Sequence, residues 1–119
     1  MGYKEELINE AGFKYEDALM RFLNREDMLE KFLLKFLDDP SYANILKSYA
    51  DGDREGTGHA AHALKGVAAN LGLEKLRAAS EKLQKTALTP DGGDIAPLYD
   101  DVVVAYECCE RIIKSNLGV

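Results

Sequence analysis

The sequence predicts an all-α protein: an antiparallel up-and-down four-helix bundle with additional short N-terminal helices. Three observations predict it. Apolar residues recur at steps of three and four, which marks one face of a helix, and no stretch alternates with period two for long. Even the β-branched run Val102 to Val104 lies inside a longer pattern of helical period. Breakers at Gly12, Asn24, Asp38-Asp39-Pro40, Asp51-Gly52-Asp53, Gly72 and Thr89-Pro90-Asp91-Gly92-Gly93 cut the chain into pieces of helical length. The joints are short, and short joints set successive amphipathic helices side by side and antiparallel.

The first helix is expected over Tyr3 to Ala11, with Leu7, Ile8 and Ala11 on one face, ending at Gly12, a residue that readily takes the left-handed conformation of helix ends. The second runs from about Lys14 to Leu23 on a stripe of Ala18, Leu19, Phe22 and Leu23. Asn24, with Asp27 three residues on, has the spacing of a cap for the third helix, about Arg25 to Leu37. Met28, Leu29, Phe32, Leu33, Phe36 and Leu37 give that helix a strong core face. Pro40 stops it and suits the first position of the fourth, about Ser41 to Ala50, where the missing N–H is harmless; Ile45, Leu46 and Tyr49 are its buried side. The fifth spans about Glu55 to Leu71. The sixth, about Glu74 to Leu88, turns Leu73, Leu76, Ser80, Leu83 and Ala87 inward. The last, about Asp94 to Asn116, has Asp94 as N-cap, Pro97 in its first turn and a seam of Ile95, Leu98, Val102, Tyr106, Cys109 and Ile113.

Composition narrows the function classes. The 119 residues suit one domain, 1–119, large enough to bury a core without metals or disulfides. Lys and Arg number 15 against 21 Asp and Glu, a net charge of −6 with no basic stripe, so no nucleic-acid partner is expected. No apolar run approaches the roughly 18–20 residues of a membrane span, and Met1 to Glu10 carries charges where a signal peptide has its apolar stretch. The expectation is a cytoplasmic, monomeric, free-standing chain. Cys108 and Cys109 are adjacent, a spacing at which a disulfide is strained, and are expected as reduced thiols.

The fifth helix carries the chemistry. It holds both histidines and three glycines, Gly56, Gly58 and Gly66. At about 100° per residue, Ala60, Ala63, Leu64, Val67 and Leu71 are expected to form its buried stripe, with Gly58, His59, Lys65, Gly66 and Ala69 sharing the outward face of His62. Glycine inside a helix costs about 1 kcal/mol relative to alanine, so Gly66 asks for a reason. Helical side chains lean toward the N-terminus, so a side chain at 66 would lie over His62, and its absence opens the imidazole to a visitor. Lys65 leans the same way and suits an anion held on the ring. With a tight turn at Gly72, position 62 falls level with positions 82 to 84, where Gln84 is placed to fix one imidazole tautomer.

His62-Ala63-Leu64-Lys65-Gly66, preceded by Ala60-Ala61 and followed by Ala68-Ala69-Asn70-Leu71-Gly72, resembles the histidine-containing phosphotransfer (HPt) domain of two-component phosphorelays. Gln84 falls where that family often has a glutamine, and the helix order agrees over most of the chain, including the Phe32/Phe36 helix and the Asp51-Gly52-Asp53 turn. The resemblance implies a four-helix bundle with an N-terminal helical cap whose histidine is phosphorylated on Nε2 by a receiver-domain aspartate and passes the group to another. By carry-over, His62 is the phosphorylated residue, Lys65 the charge-neutralising neighbour, Gly66 the opening and Gln84 the ring-orienting residue. Val67 departs from the serine often found in the family.

The implied partners are receiver domains of response regulators or hybrid histidine kinases, docking on the face of Gly58, His59, His62, Lys65, Ala69 and Gln84. No cofactor is expected, Mg²⁺ belonging to the receiver partner. A phosphocarrier without ATP-dependent kinase activity is expected, because no Gly-rich nucleotide loop occurs. Two other readings stand beside this one. One is a helical adaptor that binds a receiver without carrying phosphate. The other is a small metal site from His59, His62 and Glu55, which Lys65 on the same face would oppose.

Overall fold

The computed structural model describes residues 2–118 and contains seven helices: α1 (Tyr3–Ala11), α2 (Tyr15–Arg21), α3 (Glu26–Phe36), α4 (Pro40–Ala50), α5 (Arg54–Asn70), α6 (Glu74–Leu88) and α7 (Ala96–Leu117). The all-α expectation holds. The chain punctuates them much as its breakers dictate. Gly12 ends α1 in the left-handed conformation, and Pro40 opens α4 behind Asp39, whose carboxylate accepts from Ser41 N–H at 2.9 Å. Asp53 caps α5 by accepting from Gly56 N–H at 2.8 Å, an approach so close that a Cβ at 56 would collide with the carboxylate. Two expected caps differ. Arg25, not Asn24, occupies the cap position of α3 and makes no capping side-chain bond, because Asn24 is already in the left-handed conformation at φ 59°. Asp94 stands one residue before the cap position of α7 and still accepts from Ala96 N–H at 3.0 Å.

Helices α4 to α7 run up and down and close on one another. α5 packs most extensively on α6, then on α4, and α6 packs on α7. Stacked rings complete the circuit between α4 and α7: Tyr42 on Tyr106 at 3.7 Å and Tyr49 on Tyr99 at 3.8 Å between centroids. α3 lies against α7 through Phe36 and Tyr106. The α6 seam Leu73, Leu76, Ser80, Leu83 and Ala87 is buried throughout, as its periodicity predicts. In α7 the buried set is Val102, Tyr106, Cys109, Ile112 and Ile113, with Leu98 half-buried. Both cysteines are free thiols, and burial pushes that of Cys109 up to about 12.

The N-terminal hairpin covers the end of the bundle where α5 turns into α6. Gly72 makes that turn at φ 71°, and its carbonyl accepts from Lys14 N–H at 2.8 Å. A Cβ at 72 would come within 2.9 Å of the Lys14 carbonyl oxygen and 3.3 Å of Ala18 Cβ, so both backbone conformation and close approach require glycine there. Tyr3, Leu7, Ala11, Phe13 and Ala18 are buried beneath this cover. Ile8 and Leu23, expected inside, are exposed, because Tyr3 takes the place of Ile8 on the buried face and the chain turns out of α2 before Leu23.

The opposite end of the α5–α6 hairpin is closed by Arg54. Its guanidinium donates to the carbonyls of Ala87 (3.2 Å) and Thr86 (2.7 Å) in the last turn of α6 and to that of Gly93 (2.7 Å) in the loop that follows. The hairpin is thus fastened at both ends, by Gly72 at one and Arg54 at the other.

Candidate phosphotransfer site

α5 presents a different face to the core than its apolar residues suggest. The buried positions are Thr57, Gly58, Ala61, Leu64, Ala68 and Leu71, at steps near three and four, whereas Ala63 is exposed and Ala60 and Val67 are half-buried. The stripe expected from Ala60, Ala63 and Val67 is therefore turned away from its true position. Alanine fits either face, and the close packing of α5 against α6 selects Ala61 and Ala68 for the core.

That rotation corrects the placement of Gly58. It lies in the interface, where a Cβ would meet Leu88 at 2.6 Å and Ala87 at 3.2 Å, and it does not share the open face of His62. His59, His62, Ala63, Gly66 and Asn70 form the exposed ridge of α5. Lys65 and Ala69 are half-buried on its flank toward α6.

His62 projects from the middle of this ridge into solvent. Around a Cβ placed on Gly66 there is nothing within 4 Å, so no packing demand of the fold accounts for glycine at that position. The contact of Gly58 with Leu88 and the pocket shared by Ala69 and Arg77 define one antiparallel register for α5 and α6, with His62 level with Gln84 and Gly66 level with Ser80. Gln84 is half-buried, and its Oε1 is shielded from solvent without a hydrogen-bond partner; Ser80 Oγ, one turn earlier, is likewise unpartnered. A shielded carbonyl oxygen with no donor costs about 1–3 kcal/mol, so Gln84 stands as an acceptor lacking an N–H. No hydrogen bond joins Gln84 to His62 in this state.

The charges nearby leave Lys65 available. Within α5 and α6 the ion pairs join Arg77 to Glu74 and Glu81, and Lys85 to Glu81, while His59 Nε2 lies 3.6 Å from Glu55; Lys65 is in none of these contacts. The Arg77 guanidinium holds the Glu74 carboxyl below its usual range. Among the described residues no group of three or more His, Cys, Asp and Glu side chains is arranged to hold a metal ion. His59 engages Glu55 and lies beside a groove with Leu88 and Pro90.

Sequence reasoning missed Arg54, although it left a signal. A cation in the first turn of a helix opposes the helix dipole, so its presence there calls for a partner elsewhere, here the carbonyls ending α6.

A family model describing the Hpt domain matches residues 26–112. Searches of curated proteins and of solved structures return no match. The matched span contains α3 to α6 and most of α7, including the ridge with His62, and leaves α1 and α2 outside. The chain belongs to the Hpt domain family, whose members serve histidine phosphotransfer in phosphorelays and interact there with receiver domains.

Proposed function

We propose that His62 accepts a phosphoryl group from the aspartate of one receiver domain and delivers it to the aspartate of another. The observation that supports this most is the open space at Gly66 beside an exposed histidine: the fold gains nothing from glycine there, whereas an approaching phosphoryl donor does. In the forward step the lone pair of His62 Nε2 attacks phosphorus, the P–N bond forms, and the P–O bond to the aspartyl carboxylate breaks, that carboxylate leaving as the anion. The ring keeps its proton on Nδ1, and the second transfer reverses these bonds with a new carboxylate as nucleophile.

The transition state is loose and spreads charge over the phosphoryl oxygens, so position and electrostatics do most of the catalysis. Lys65, one turn from His62 and paired with no carboxylate among the described residues, supplies a cation to those oxygens. Gln84 Oε1, level with the ring, accepts a hydrogen bond from Nδ1–H and so holds Nε2 outward as the nucleophile. The domain over 1–119 acts as a carrier, with no cofactor of its own. Its work site is cytoplasmic, its partners are receivers of response regulators or hybrid kinases, and the Mg²⁺ that attends transfer belongs to the receiver.

Incubation with a receiver carrying radiolabelled aspartyl phosphate tests this reading. The wild type is expected to take up acid-labile, base-stable label, His62→Gln none, and Lys65→Ala the same label roughly tenfold or more slowly with unchanged helicity. Label on His62→Gln equal to wild type, or none on wild type, would sink it.

A further inference from the structure

Among the buried positions of α6, Leu76, Ser80, Leu83 and Ala87, only Ser80 is polar, and its side chain is fully enclosed. A serine inside a helix usually satisfies its hydroxyl on the carbonyl one turn back. Thr57, equally enclosed in α5, does so: its Oγ1 donates to the Asp53 carbonyl at 2.8 Å. Ser80 Oγ does not, and has no hydrogen-bond partner of any kind. An enclosed hydroxyl without a partner weakens the fold, and alanine would suit this helical position better. Packing alone therefore gives no reason for serine at 80.

The second unpartnered oxygen of α6 stands one turn away. Gln84 Oε1 is shielded from solvent and lacks a donor. Positions 80 and 84 are neighbours on one helix face, with Cβ atoms about 5–6 Å apart. Helical side chains lean toward the N-terminus, which carries the Gln84 amide back over the turn that holds Ser80. Rotation about side-chain bonds, with no movement of the helix, then brings the two oxygens together. They are matched in kind, since the amide oxygen can only accept and the hydroxyl can donate.

We propose that Ser80 is a positioning residue, whose hydroxyl donates to Gln84 Oε1 while that oxygen accepts from Nδ1–H of His62. This rests on the phosphotransfer reading above. A carbonyl oxygen has two lone pairs and takes both donors at once. The second donor matters because a glutamine amide has two ends. Turned about, it would offer its NH2 to the ring, favouring a lone pair on Nδ1 and the proton on Nε2, the atom that has to attack. Ser80, buried behind the amide, holds the oxygen and opposes that rotation. The hydroxyl that is idle in the resting arrangement thus acts when Gln84 engages the ring, and its effect is on which nitrogen of His62 is the nucleophile.

The test uses the full chain as wild type, Ser80→Ala, Gln84→Ala and the double variant Ser80→Ala/Gln84→Ala. The tautomer of His62 is read from proton–nitrogen correlation spectra of isotope-labelled histidine, with His59 as the internal control. Transfer to each protein is timed from a phosphorylated receiver and from phosphoramidate, a donor too small to need docking. Ser80→Ala is expected to melt a few degrees higher than wild type, because it loses an unpartnered hydroxyl and gains helix preference. It is also expected to lower the Nδ1–H fraction of His62 alone and to slow both transfers about threefold, so stability and rate move in opposite directions. In the Gln84→Ala background the same substitution is expected to leave tautomer and rates within about twofold, since its path to the ring runs through Gln84. A wild-type tautomer in Ser80→Ala, a rate loss equal in both backgrounds, or a lower melting temperature would overturn the role of Ser80 while leaving His62 phosphorylation standing. A wild type labelled by neither donor would overturn the phosphotransfer reading and this proposal with it.

Discussion

Gly58 and Gly66 lie about two turns apart in α5 and are there for opposite reasons. At 58 a Cβ would press on Leu88, so glycine lets the two helices approach; at 66 a Cβ would meet nothing. Gly66→Ala should therefore raise stability by about 1 kcal/mol, the ordinary helix preference, visible as a melting temperature a few degrees higher. Gly66→Leu should keep its helicity in circular dichroism and yet slow transfer from a receiver, because its side chain leans over His62. A Gly66→Ala protein that melts lower than wild type would show that some contact requires the glycine. At this scale the exposure of His62 and Gly66 was legible from spacing alone, whereas Lys65, expected on the same open face, is half-buried beside it. The sequence was read poorly for Gly58, because a small residue gives no sign of whether it faces solvent or a neighbouring helix.

Among the elements, the α5–α6 hairpin sets the precision of the site, since its register decides what stands across from His62. Arg54 fixes one end of it by taking three carbonyls at once. Arg54→Ala should lower the unfolding free energy by about 2 kcal/mol in urea, the scale of a partly exposed charged hydrogen-bond cluster. Arg54→Lys should recover little, because one ammonium lacks the planar fork that reaches all three acceptors. An unchanged urea midpoint for Arg54→Ala would remove the clamp from this account. The helices themselves were legible because Leu, Phe and Ile mark burial clearly: the α6 seam and Leu29, Leu33 and Phe36 of α3 lie where their period puts them. The face of α5 was not, since its stretch from Ala60 to Ala69 holds few large apolar residues, and burial there follows from what α6 presents to it. The cap of α3 was misjudged for a related reason: Asn24 is as well suited to a left-handed turn as to a cap, and the turn after Phe22 claimed it.

The molecule as a whole measures 43 × 24 × 22 Å, a bundle elongated along its helices with α1 and α2 folded back over one end. The α1 residues Tyr3, Leu7 and Ala11, with Phe13, Ala18 and Phe22 after them, bury their side chains against the rest, and each large one contributes about 1.5–3 kcal/mol. Against a total stability of about 5–15 kcal/mol this is a substantial share. A fragment of residues 26–112 should accordingly melt more than about 10 °C below the full chain, or lose its cooperative transition. A fragment as stable as the full chain would reduce the N-terminal hairpin to an appendage. That this hairpin covers the Gly72 turn was not visible in the sequence, because the contact is made by backbone groups, Lys14 N–H to the Gly72 carbonyl, which carry no residue signature.

The double fastening of α5 to α6 bears on the direction of signalling. On the proposed reading of His62, an imidazole carried on a helix tied down at both ends would meet an incoming and an outgoing aspartate in one geometry. Such a carrier would conduct without rectifying. Which way phosphate flows would then depend on the relative free energies and abundances of the two aspartyl phosphates, the bundle acting as a wire between them rather than a valve.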